Sequence, residues 1–177
     1  MSILYAAFLR GINVGGHRII KMEDLRRMFE AFGCRNVSTF IQSGNVIFES
    51  PKTGAEGLEE EIQAKLAKSL GYEVEIFLRT LRALEKIAAQ SPFQEDENST
   101  VYVAFLKKKP DRKAGQALLA LQNKVDEFSI KDREVYCFRH KDKGESILSN
   151  NLLEKMLGTP ATTRNMTSIR KILEKYG

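Results

Sequence analysis

Along this chain the apolar positions switch repeatedly between two periods, and each switch marks an element. Ile3 to Leu9 is an unbroken apolar run, suited to a central strand buried on both faces. Met22, Leu25, Met28, Phe29 and Phe32 then recur at helical spacing, and Gly33 follows as a stop signal. Val37 to Ile41 and Val46 to Phe48 predict a hairpin, because Ser43-Gly44-Asn45 between them is turn chemistry. Leu58, Ile62, Leu66 and Leu70 share one helix face up to Gly71, and Val74, Ile76 and Leu78 alternate as a fourth strand. Strand, helix, strand, strand, helix, strand is the split βαβ order of a ferredoxin-like unit.

The order then restarts. A linking helix over 81–89 and a polar linker, "SPFQEDENS" (91–99), precede a strand at Val101 to Leu106. Leu118, Leu121 and Val125 predict a helix after Pro110; Phe128 to Lys131 and Val135 to Phe138 predict a second hairpin. Ile147 to Leu157 reads as a helix ended by Gly158, and Met166, Ile169, Leu173 and Tyr176 as a last helix. "AAFLR" (Ala6 to Arg10) resembles "VAFLK" (Val103 to Lys107), a weak internal duplication. The expected fold is α+β: two ferredoxin-like (split βαβ) subdomains, residues 1–90 and 91–177, with antiparallel sheets covered by helices, plus a C-terminal helix.

That topology says where polar loops should meet. In a split βαβ unit the first two strands are parallel, with the third between them. The end of strand one therefore lies at the same sheet edge as the strand two–three turn. Arg10, Gly11, Asn13, Gly15 and Gly16 should face Ser43, Gly44 and Asn45 there. Backbone N–H groups freed by glycines, two amides, a hydroxyl and a guanidinium would all donate to an anion. The competing reading is purely structural, with glycines permitting positive φ and the asparagines bonding nearby backbone. Neither a Walker A loop nor a GxGxxG fingerprint is present. His17, a lone histidine in this loop, has no visible serine, cysteine or aspartate partner for catalysis.

A second unusual stretch is "TPATTRNMTSIRK" (Thr159 to Lys171). Thr163 or Asn165 can cap the last helix, which would set Arg164 near the positive end of its dipole. Arg164 and Asn165 are thus further candidate ligand contacts, against a buried carboxylate partner for Arg164.

Charge sharpens the asymmetry between the halves. Residues 1–100 hold 12 Lys+Arg against 14 Asp+Glu, and residues 101–177 hold 16 against 9. A basic second half suits an anionic partner or simply a solvated surface. No apolar run approaches the roughly 18 residues that span a bilayer, and no secretory leader is visible, so a cytoplasmic protein without membrane partners is expected. Cys34 and Cys137 form no CxxC pair or histidine cluster, so no metal site and no cofactor is implied.

"FLRGINVGG", "FIQSGNVIF" and "TTRNMTS" together resemble the DUF1697 family, bacterial proteins of unknown function. The resemblance spans nearly the whole chain and implies two ferredoxin-like subdomains. The family pattern usually has Trp after the Arg-Asn pair, where this chain has Met166. Loss of a Trp would matter for base stacking and little for core packing.

The leading expectation is a non-enzymatic binding module for a phosphate-bearing ligand, a nucleotide or nucleic acid. Alternatives are a protein-interaction or oligomer module and an enzyme acting on a small anionic molecule. The sequence does not fix the oligomeric state. Against RNA, Tyr5 and Phe8 have opposite strand parity, so only one of them can face outward from strand one, where Phe48 could join it.

Overall fold

A computed structural model of the protein describes residues 1–41 and 44–177. Two four-stranded antiparallel sheets share one topology, ordered β2-β3-β1-β4 and β6-β7-β5-β8. The first contains β1 (Ile3–Leu9), β2 (Arg35–Thr39), β3 (Asn45–Ser50) and β4 (Ile76–Thr80), with α1 (Met22–Ala31) and α2 (Ala55–Leu70) between strands. The second contains β5 (Ser99–Leu106), β6 (Asp126–Lys131), β7 (Glu134–His140) and β8 (Ala161–Asn165), with α4 (Arg112–Leu119) and α5 (Asn150–Leu157). α3 (Leu81–Ala89) links them and α6 (Met166–Tyr176) follows β8. The compact units are Met1–Leu84 with Tyr176–Gly177, and Glu85–Lys175.

In the first unit, Tyr5, Ala7 and Leu9 of β1 share a core with Leu25 and Phe29 of α1 and Leu58, Ile62 and Leu66 of α2. Ala6 and Phe8, on the other parity, are buried too, which explains the unbroken apolar run. α2 ends where Gly71 adopts φ +79° and its N–H reaches Ala67 O.

The second unit repeats the plan. Ala104 and Leu106 of β5 pack with Leu118 of α4, Leu153 and Leu157 of α5, and Val135 and Cys137 of β7. Asp111 and Ser149 cap α4 and α5 by accepting the N–H groups of Ala114 and Leu152. α4 stops at Leu119, so Leu121 and Val125, expected on its face, lie beyond it. β8 is an element the sequence pattern does not announce. Its Ala-Thr-Thr-Arg-Asn lacks clear alternation, and pairing with β5 at the sheet edge makes it a strand.

Candidate functional site

The loop after β1 is a miniature hairpin. Arg10 N–H donates to Glu75 O at 3.0 Å, and the chain then folds back on itself. Asn13 N–H reaches Arg18 O (3.2 Å) and His17 N–H reaches Val14 O (3.1 Å). Gly15 and Gly16, at φ +60° and +76°, fill the two central positions of a tight primed turn. Gly11 is left-handed as well, and so is Asn13, whose Oδ1 accepts the Ile20 N–H at 2.8 Å.

This loop does meet the β2–β3 turn. Leu9 N–H donates to Gly44 O at 2.9 Å, and a Cβ on Gly44 would stand 2.7 Å from Ile12 Cδ1. Only glycine tolerates that approach, at a φ of +82°. Asn45 is 1% exposed and donates its Nδ2 to Phe40 O at 2.9 Å. The two loops converge as the topology requires, but these polar groups bond backbone within the turns. A shallow cavity of about 290 Å³ beside them is lined by Asn13, Gly16, Ile19, Ile20, Lys21 and Met22. Ser43 lies outside the described residues.

A larger cavity, about 360 Å³, opens in the second unit where α5 begins. Three strands and the approach to α5 build it. β5 contributes Tyr102, β7 contributes Arg139, and β8 contributes Thr163 and Asn165. Ser146, Leu148, Ser149 and Asn150 come from the approach to α5 and its first residue. Asp126 of β6 supports that approach from beneath: its carboxylate accepts from Ser146 Oγ (2.7 Å) and from the Ile147 N–H (2.8 Å). In the ladder, Tyr102 pairs with Asn165 on one side and Cys137 on the other, while Arg139 stands between Thr100 and Asp126.

Several hydrogen-bond roles inside this cavity are already assigned, the Ser146 hydroxyl donating to Asp126 and the Thr163 hydroxyl to Asn150. Asn165 Oδ1 is taken by the Thr167 N–H, which leaves its NH₂ group. Asn150 Oδ1 is taken by the Thr163 hydroxyl, and Ser149 Oγ by the Leu152 N–H. Arg139 forms no ion pair among the described residues, and its Nε is sealed from solvent without an acceptor. A buried donor left in that state costs about 1–3 kcal/mol. No carboxylate, histidine or cysteine is among the lining residues.

Asn165 is thus the residue of the sequence-based set that reaches this cavity. Arg164, on the other face of β8, donates to Thr162 Oγ1 (2.8 Å) and Thr163 O (3.0 Å). Burial pulls its guanidinium down to about 10. Tyr102, Arg139, Ser146, Ser149 and Asn150 are not marked by the sequence, and Thr163 is marked only as a possible helix cap. One signal was available: Arg139 has the strand parity of Val135 and Cys137, so a cation sits on a core-facing position of β7. The two cysteines are buried, and desolvation pushes Cys34 up to about 11 and raises Cys137 further, so both behave as packed thiols.

The repeated β2-β3-β1-β4 order defines a protein of two ferredoxin-like units, one of which carries a donor-lined cavity. The chain belongs to the family described as "Protein of unknown function (DUF1697)", whose model matches residues 3–136. That stretch includes the glycine loops and Tyr102 and stops short of Arg139. A conserved bacterial protein from Streptococcus pneumoniae has the same fold, at 21% identity and a TM-score of 0.70 over 98% of both chains. Comparison with curated proteins finds no match.

Proposed function

We propose that the protein is a non-enzymatic module that binds a small phosphate-bearing ligand in the cavity of its second unit. The observation that carries this reading is Arg139, a cation that lines the cavity without an acceptor among the described residues, beside the amide groups of Asn150 and Asn165. A phosphate group would supply those acceptors, with a bidentate contact to the guanidinium. The positive end of α5 would favour the same charge. The absence of an acid–base pair in the lining favours binding over chemistry. A small ligand fits better than an RNA strand, because Tyr5, Phe8 and Phe48 are all buried and offer no exposed stacking platform.

The test is a thermal-shift and calorimetric series with inorganic phosphate and phosphate monoesters. Wild type should be stabilised in proportion to phosphate concentration, and Arg139→Ala should lose the response while melting at or above the wild-type temperature without ligand. Arg10→Ala should keep the response. No stabilisation of wild type by any phosphate compound would sink the reading.

A second reading, a protein-interaction module, draws on Val14 and Ile19, which are 65% and 72% exposed at the first unit's loop. Substituting both with serine should then abolish self-association in sedimentation.

A further inference from the structure

We infer that the ligand of the second-unit cavity carries a planar ring beside its phosphate, as a mononucleotide does, and that Tyr102 is the surface on which that ring stacks. The inference rests on the anion reading above and adds the nature of the ligand's other end.

β1 and β5 align as Tyr-Ala-Ala-Phe-Leu and Tyr-Val-Ala-Phe-Leu, so Tyr5 and Tyr102 are equivalent. Tyr5 has every need met by the protein. Its ring stacks on Phe48, directly opposite on β3, with centroids 5.6 Å apart and planes 22° apart. Its hydroxyl donates to Lys52 O at 2.7 Å. Opposite Tyr102, the position of Phe48 is taken by Cys137. Among the described residues, no ring stacks on Tyr102 and no group meets its hydroxyl. Its ring packs partly on the second core and otherwise lines the cavity with Leu148, so the wall there is apolar.

The cavity is therefore bipartite. One part is cationic and donor-rich, around Arg139, Ser149, Asn150 and Asn165; the other is an aromatic ring and an aliphatic side chain. A ligand that matches both parts has an anionic group joined to a flat apolar one. At about 360 Å³ the cavity lies at the small end of ligand sites, which favours one nucleotide over a strand. Stacking on an aromatic side chain is sequence-tolerant, so base identity should matter little.

Titration calorimetry with inorganic phosphate, ribose 5-phosphate, AMP and UMP tests this, with a 5′-phosphorylated single-stranded decamer as a further probe. Wild type should bind AMP and UMP about ten-fold or more tightly than ribose 5-phosphate, the increment expected of one stacked base. Tyr102→Leu should erase that increment, so that AMP and UMP bind no more tightly than ribose 5-phosphate does to the same variant. Tyr102→Phe should retain it, which separates stacking from a folding defect. Equal affinity for ribose 5-phosphate and the nucleotides in wild type would overturn the ring and leave the anion reading standing. Tighter binding of the decamer than of AMP would overturn the single-nucleotide assignment. No binding of any of the probes would remove the anion reading and this inference with it.

Discussion

The two units have the same strand order and begin on the same five-residue pattern, yet one is filled where the other is open. In the first unit, Tyr5 is capped by Phe48, its hydroxyl is held by Lys52 O, and β3 ends in Ser50, whose Oγ accepts the Lys52 N–H at 3.2 Å. At the matching places the second unit has Cys137, no hydroxyl partner among the described residues, and Arg139. The difference is two side chains on one strand. A smaller residue faces the tyrosine, and a cation takes the next core-facing position. A repeated fold can fill a corner in one copy and leave it open in the other, because the ladder and the helix-covered core do not depend on that corner. The first unit shows what the corner looks like when packing alone is served.

The comparison is broken most severely at Phe48. Its ring is fully buried between Tyr5 and Phe29, with centroids 5.6 Å and 5.5 Å away. Phe48→Ala should cost roughly 3–5 kcal/mol in urea unfolding. A loss below about 1 kcal/mol would mean that the first unit does not depend on this stack, and the contrast with Cys137 would lose its meaning.

Arg139→Ala should act the other way. With no protein partner to lose, it should leave the unliganded melt close to wild type. It should remove the approximately 2.7 kcal/mol that a ligand at about 100 times its dissociation constant adds. A large destabilisation without ligand would mark Arg139 as a structural residue.

Cys137→Phe attempts to convert the second unit into the first. Cys137 is 1% exposed, so the added ring must displace neighbours, at an expected cost of about 1–3 kcal/mol. It should also weaken the ligand response, through the crowding of Tyr102. A variant that is as stable as wild type and binds phosphate esters equally well would show that the cavity does not depend on the small residue.

The smallest effect is expected at Glu61. It is bonded by Lys52, the residue whose carbonyl holds Tyr5, and by Lys65, and these contacts hold its carboxyl down to about 2. A depressed carboxyl adds stability above its ordinary range, and that contribution is lost as pH falls toward 2. The melting difference between wild type and Glu61→Gln should therefore be present at pH 7 and vanish near pH 2. Because the group is partly open to solvent, the difference should be small and should shrink further in high salt. A difference that grows on acidification would show that the ion pairs are not its source.

Much of this protein was written in the chain. Helical spacing at Leu25 and Phe29, or at Leu58, Ile62 and Leu66, specifies a buried face whatever lies opposite, so helices and core could be read directly. So could the meeting of Arg10's loop with the turn at Gly44 and Asn45, because connectivity alone sends β1 and the β2–β3 turn to the same edge. Three things were settled only in three dimensions. β8 has too few apolar residues to announce itself and is a strand because β5 offers it an edge. Asn13 and Asn45 carry amides that sequence cannot orient, and the fold turns them onto the backbone at Ile20 and Phe40. The cavity at Arg139 draws on residues from 102 to 165, and no local pattern encodes a set that only the sheet register brings together. Periodicity is a local property, fixed by 3.6 or 2 residues per repeat. A binding site is a property of register and of which hydrogen bonds are already taken, and tertiary structure alone decides both.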